Sequence, residues 1–288
     1  MMQKWRATLH TPLMGSLFAV VLLVTSLAYA ECPDGITSLW ALDEDIGNIF
    51  ADSVNGNDGS GAATPIPVIG MVNGAQFFNG TDTGINVPAD DSFNWAFDAS
   101  FSIEYWIKRT NAAFAGIEVV VGRDDGATSD MQWWAGLWAD GKAAFVLLAT
   151  NGTGTGSRVT GEFLEGDDDL TDGEWHHVAV VRDSASKENR LYVDGVLNDW
   201  VVIAYDDGEG FDSATSNLNM GWLNLLAGFH YNGTLDEVAI YDRVLTANEI
   251  LKHFNDELSY CADAPDDDDD KHDGGGGGGG GCFIQALR

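Results

Sequence analysis

From Ser38 to Ile240 the chain runs in short β-type stretches broken by Gly, Asp and Asn, and two dipeptides fix how those stretches connect. Asp140-Gly141 separates Trp133–Trp138 from Lys142–Ala149, and Asp194-Gly195 separates Arg190–Val193 from Val196–Asn198. Asp-Gly supplies the positive φ angles of the tight turn whose twist matches two antiparallel strands, so each site reads as a hairpin. Phe101–Lys108 alternates, placing Phe101, Ile103, Tyr105 and Ile107 on one face. Ile117–Val121 and Trp175–Arg182 read as further strands. Many short strands joined by turn residues predict an all-β fold, an antiparallel β-sandwich of jelly-roll type. Thr246 and Glu249 form a capping box, and Ile250, Leu251 and Phe254 follow at helical spacing. That pattern predicts one short C-terminal helix packed on the sandwich.

The ends of the chain differ from this middle. Lys4 and Arg6 precede the apolar run Leu17–Val24, and Ala28-Tyr29-Ala30 presents the small–x–small pattern read by a signal peptidase. Residues 1–30 are therefore expected to be a signal peptide, and the protein to be secreted or held at the cell surface. No other stretch is apolar enough to cross a bilayer, so no transmembrane segment is expected after cleavage. Residues 31–261 are expected to form the single folded domain. Residues 262–288 carry an aspartate run, Asp266–Asp270, and then Gly274–Gly281, a composition that favours a disordered tail. Cys32 and Cys261 bracket the patterned region, and export to an oxidising compartment makes their disulfide an expectation, with two unpaired thiols the alternative. Cys282 is then the odd one out. Acidic residues outnumber basic ones 45 to 14, giving a net charge of −31, and such a surface repels phosphate backbones. A nucleic-acid partner is excluded on that ground.

Several stretches, in order, resemble the laminin-G-like, concanavalin A-like domains of secreted bacterial proteins. They are Asp52-Ser-Val-Asn-Gly-Asn-Asp-Gly59, Ala75–Asp82, Phe101–Lys108, Asp172-Gly-Glu-Trp-His-His-Val-Ala179, Leu191-Tyr-Val-Asp-Gly195 and Gly233–Tyr241 with the capped helix after it. The resemblance implies a concanavalin A-like jelly roll. It leaves function open, because that fold hosts lectins, adhesins and modules of polysaccharide enzymes. The glycine run followed by Cys282-Phe283-Ile284 is similar to the C-terminal CFI-box of some exported bacterial proteins, although Gln285–Arg288 departs from that pattern.

Catalysis finds no support in the sequence. A glycosidase on such a sandwich needs two carboxylates projecting from one strand face, and no Glu-x-Asp-x-x-Glu run is present. Gly-x-Ser-x-Gly, His-Glu-x-x-His and Walker motifs are also missing. His176 and His177 are adjacent, so on a strand they face opposite ways and do not chelate one ion together. Calcium is the favoured cofactor. Asp52 and Asn57 offer hard oxygens in a glycine-containing loop, and the resemblance implies that Asp236 on the closing strand joins them. The opposing reading is that these residues form Asx-turns. For a ligand, alternation puts Trp134, Gly136 and Trp138 on one face, with Trp133, Ala135 and Leu137 on the core side. Two indoles beside a glycine suit the apolar face of a sugar ring, with Asp124, Asp125 and Asp130 near in sequence. His230, Tyr231 and Asn232 are further candidates. The expectation is a non-catalytic binding module for a polysaccharide or glycoconjugate, with calcium as a structural ion. The alternative is an adhesin or surface component that binds a cell-surface protein and no sugar.

Overall fold

The computed structural model describes residues 33–61, 63–110, 116–124, 131–150, 158–206, 210–211, 213, 215–225 and 227–255. The expected signal peptide, disulfide and C-terminal tail lie outside these residues.

Eighteen strands and one α-helix occur among the described residues. In chain order the strands are β1 (Ile36–Trp40), β2 (Ile49–Phe50), β3 (Gly59–Ser60), β4 (Ile66–Ile69), β5 (Gly74–Asn79), β6 (Ile85–Val87), β7 (Trp95–Ala96), β8 (Phe101–Lys108) and β9 (Glu118–Asp124). They continue with β10 (Met131–Leu137), β11 (Lys142–Thr150), β12 (Arg158–Asp169), β13 (Trp175–Asp183), β14 (Glu188–Val193), β15 (Val196–Val202), β16 (Gly210–Phe211), β17 (Leu218–Met220) and β18 (Asn232–Tyr241). The helix α1 spans Ala247–Asn255. One sheet runs β15-β14-β13-β8-β18-β5-β4, with β1 also on β18, and the other runs β12-β11-β10-β9-β17-β6-β3-β2. All strand pairs within these sheets are antiparallel.

Both Asp-Gly turns are hairpins. Asp194 and Gly195 take φ of 50° and 76° between β14 and β15, and Gly141 takes 87° between β10 and β11. The main core lies between the two sheets and receives Phe101, Ile103, Tyr105 and Ile107 of β8 together with Trp133, Ala135 and Leu137 of β10.

The opposite face of β8 is buried as well. Ser102, Glu104 and Trp106 lie beneath α1, where Phe254 stacks on Trp106 at 5.9 Å and Ile250 joins a second apolar cluster with Tyr192 and Tyr241. Glu104 thus sits in a buried polar knot. Tyr241 donates its hydroxyl to it at 2.7 Å, and His253 Nδ1 lies 2.9 Å away. His177 Nε2 approaches it at the ion-pair distance of 3.3 Å. Burial alone would raise the Glu104 carboxyl, but the two histidines hold it below the usual carboxylate range. The capping box is formed: Thr246 N–H donates to Glu249 Oε2 at 2.7 Å, and Glu249 N–H donates to Thr246 Oγ1 at 3.2 Å. The helix turns His253 rather than Leu251 toward the sheet. Leu251 stays 43% exposed, because the sheet beneath offers a carboxylate partner for an imidazole.

Candidate functional site

The outer face of the β2–β12 sheet carries a third apolar cluster, in which Trp134, Ala144, Val146 and Leu148 pack with Val119 and Leu223. The described residues of the segment 221–230 fold back over this face between β17 and β18. Gly221 has φ of +75° and a Cβ there would stand 2.2 Å from Phe78, so only glycine lets the chain leave β17 in this direction. Gly221 N–H donates to Val120 O at 2.7 Å, Leu223 N–H to Gly228 O at 2.8 Å, and Tyr231 N–H to Gly221 O at 2.9 Å. At the end of the segment Val119 N–H donates to Phe229 O at 2.8 Å. A buried ion pair sets this anchor. Arg109 grips Glu118 with Nε–Oε2 and Nη2–Oε1 distances of 2.9 and 2.8 Å, and Asn232 N–H donates to the same Glu118 Oε2.

On one side of the segment lies a cleft of about 830 Å³. Its aromatic wall is Trp222, whose ring stacks with His230 at 12° and 6.2 Å between centroids. The indole is fixed by donation from Nε1 to Ile85 O at 3.2 Å. Gly84 makes room for it, since a Cβ there would come within 2.4 Å of Trp222 Cδ1. The polar lining includes Asn86, Asn217, Asn224, Thr81 and Asp82. Asn86 accepts from Asn219 Nδ2 at 2.9 Å, and Asn219 Oδ1 accepts from Asn224 N–H at 3.1 Å, so one buried amide ties two strands to the rim. Asn79 shapes the other rim by accepting from the N–H groups of Thr81 and Asp82 at 2.9 and 3.1 Å, an Asx-turn. Among the described residues neither lysine nor arginine lines the cleft.

On the other side lies a smaller cavity of about 280 Å³, walled by Ile117, Val119, Trp134, Trp138, Phe163, Leu225 and Phe229. Leu225 lines both cavities.

The sequence-predicted ligand residues divide accordingly. Trp134 and Trp138 share a face as the alternation requires, but their rings meet edge to face at 5.2 Å and Trp134 is only 5% exposed. The Gly221–His230 segment covers them, so they wall the small cavity instead of forming an open platform. Gly136 is no slot for a sugar. A Cβ there would fall 2.2 Å from Glu118 O, and the glycine admits the close approach of β9 at a register shift. Asp124 is buried at the end of β9 and lines neither cavity; Asp125 and Asp130 lie outside the described residues. Tyr231 is fully buried, its hydroxyl donating to Thr234 O at 3.1 Å, and it has no surface to give a ligand. Trp222 was missed by sequence reasoning, as were Asn86, Asn217 and Asn224. The available signal was alternation in β17, where Leu218 and Met220 enter the core and Asn219 faces the other way beside an Asn-rich, Gly-Trp-bearing turn.

The proposed calcium ligands are engaged by hydrogen bonds from different segments. Asp52 Oδ1 accepts from the N–H groups of Leu39 and Val54 at 2.9 and 3.0 Å, and its Oδ2 accepts from Asn57 N–H at 3.1 Å. Asn57 directs its amide at Ser38 and Ser92. These are the bonds of an Asx-type loop. Asp236 is held by another segment, with Oδ2 accepting from Met71 and Val72 N–H at 2.7 and 3.0 Å. Among the described residues no three His, Cys, Asp or Glu side chains form a group able to hold a metal. Asp236 is nonetheless unusual. It is fully buried, its Oδ1 has no partner, and burial pushes its carboxyl up to about 8. The next residue, Glu237, is buried at a register shift with φ of 49°, and burial followed by the Asp236 charge raises its carboxyl well above the usual range.

A two-sheet antiparallel jelly roll with a loop-walled cleft on a sheet face defines the class of concanavalin A-like sandwiches. The model of the concanavalin A-like lectin/glucanases superfamily, Laminin_G_3, matches residues 79–251, more than half of the chain, and the chain belongs to that family. The binding domain of Paraclostridial Mosquitocidal Protein 1 is similar in structure at 18% identity, with a TM-score of 0.60 over 77% of this chain and 52% of that one. Domain 4 of AbnA, an extracellular GH43 arabinanase from Geobacillus stearothermophilus solved with arabinotriose, is 19% identical, with a TM-score of 0.53 over 75% of this chain and 97% of that one. Trypanosoma rangeli sialidase in complex with the inhibitor DANA is 14% identical, with a TM-score of 0.55 over 77% of this chain and 33% of that one. The chain thus spans about half of the mosquitocidal binding domain and a third of the sialidase. At these identities the likeness is one of fold. No curated protein matches the chain in sequence.

Proposed function

We propose that this chain is an exported, non-catalytic glycan-binding module whose site is the cleft beside Trp222. The observation that carries the reading is the combination on its walls. A partly buried indole stacked on an imidazole gives a flat surface for the apolar face of a sugar ring, and the surrounding asparagine amides and Asp82 give donors and acceptors for hydroxyls. The absence of lysine and arginine among the described lining residues favours a neutral sugar over a sialic or uronic acid, whose carboxylate gains most from a cationic partner. Asp82 is the one carboxylate among the described lining residues, whereas glycoside hydrolysis uses two across the scissile bond. Domain 4 of AbnA was solved with arabinotriose, which supports a sugar as ligand for a sandwich of this shape. No part of the reading requires a metal.

The test is binding of residues 31–262 to a panel of neutral and acidic glycans, beside Trp222→Ala checked for folding by circular dichroism. Selective binding to neutral glycans, lost in the folded variant, is expected. A null across the panel with folded protein refutes the reading and leaves the protein-binding alternative. That alternative draws on the exposed Val196, Leu197, Trp200 and Val202 of edge strand β15.

A further inference from the structure

This inference rests on the glycan-binding reading and deepens it. We propose that the small cavity is a subsite for an acyl group carried by the same glycan, so that the module prefers acylated neutral glycans to their unacylated parents.

The chain itself places the two cavities side by side. Gly228 and Phe229 both take positive φ, 71° and 46°, and the side chains of Phe229 and His230 then line different cavities. Leu225 contributes to both, so the two spaces adjoin at that side chain, with Trp222 lining one and Trp138 the other. The walls of the two spaces differ in kind. Every side chain around the small cavity is aliphatic or aromatic, and the Trp138 Nε1 already donates to Leu164 O at 3.0 Å. A sugar hydroxyl pushed into it would lose water on that side and find little to replace it, whereas a methyl or short alkyl chain loses nothing. The volume of about 280 Å³ takes several carbon atoms. Phe163, on the outer strand β12, is 59% exposed and packs edge to face on Trp138 at 6.0 Å, so the cavity opens to solvent past one side chain. Neither lysine nor arginine lines either space among the described residues, which points to a neutral acyl substituent and not to sulfate or phosphate.

The experiment measures affinity for matched pairs: N-acetylglucosamine and glucose oligomers of equal length, and acetylated and base-deacetylated xylan. The expected result is tighter binding of the acetylated member, by about fivefold for one buried methyl group. Phe163→Ser and Ile117→Ser, both at partly exposed positions, should abolish the preference while leaving affinity for the parent sugar within about twofold. Trp222→Ala should remove binding of both members. Equal binding of the two members, or a preference that survives both serine variants, overturns the acyl subsite and leaves the Trp222 cleft standing. Binding of neither member in every pair overturns the cleft and the subsite together.

Discussion

Replacing Asp236 by Asn tests whether the closing strand carries an uncompensated acid. Asn preserves the shape and, through its side-chain oxygen, the two bonds from Met71 and Val72, and only the charge is removed. In the folded protein the carboxyl is pushed up to about 8 from an ordinary value of 3.8, with burial as the main cause and the Asp43 charge adding to it. Between those two values the folded state holds a proton that the unfolded chain has released, so the contribution of Asp236 to stability falls as pH rises from about 4 and levels off above about 8. Each unit is worth about 1.4 kcal/mol, and relaxation around the group trims the total, leaving about 2–4 kcal/mol lost by pH 8. Urea unfolding at half-unit steps from pH 4 to pH 8, in chelator, reads this directly. The Asn variant should match the wild type near pH 4 and exceed it by about 2–4 kcal/mol at pH 8. An advantage of the Asn variant that does not grow between pH 4 and pH 8, or an Asn variant weaker than the wild type at pH 8, would refute the argument. The same titration examines the calcium expectation. Stabilisation by calcium of the wild type but not of the Asn variant would make a cation, and not a proton, the group that neutralises Asp236.

Three further outcomes follow from particular contacts. Asp52→Ala strips acceptors from Leu39, Val54 and Asn57 N–H and should cost about 2–3 kcal/mol by denaturant unfolding, equally in calcium and in chelator; a calcium-dependent cost would return Asp52 to a metal shell. Gly84→Ala places a methyl group 2.4 Å from the Trp222 ring and should lower glycan affinity by about tenfold or more with little loss of stability, read by calorimetric binding and indole fluorescence. Burial pulls the His253 imidazole down, but the Glu104 hydrogen bond and charge raise it above its usual value of 6.5. Its contribution is therefore complete below about pH 6.5 and is lost as pH rises through the folded value. His253→Gln should remove that loss from the stability–pH curve, and an unchanged curve refutes the assignment.

The fold was legible because its signals are local. An Asp-Gly turn needs only its own φ angles, a capping box only four residues, and the alternation in Phe101–Lys108 and Trp133–Leu137 names its core face without knowledge of what lies opposite. What the alternation cannot state is whether the other face meets water. On β8 that face is covered by α1, and on β10 by Gly221–His230, segments roughly 140 and 90 residues away in sequence. Trp134 therefore reads as an open stacking surface in sequence and is a cavity wall in the fold. Asp52 and Asp236 were grouped by chain order along the family pattern, yet each carboxylate is taken by backbone N–H groups of a different turn, a choice made by loop conformation and invisible to composition. Tyr231 failed for a simpler reason: its hydroxyl reaches backbone carbonyls inside the core, where a tyrosine is as well placed as at a surface.

The strong acidity of the chain also acquires a place in the site reading. A net charge of −31 raises the cost of bringing any anionic glycan to the surface before a single contact is made, and screening weakens this only beyond about 8–10 Å in physiological salt. Among the described residues the cleft adds no lysine or arginine to offset that field. On the proposed glycan-binding reading, selection against acidic sugars would operate twice, at approach and at contact, while a neutral ring would meet neither cost. Raising ionic strength separates the two steps: it should speed association of an anionic glycan without rescuing its affinity to that of the neutral counterpart. If high salt makes the two glycans bind equally, the walls of the cleft contribute no discrimination and the long-range field is the whole of the selectivity.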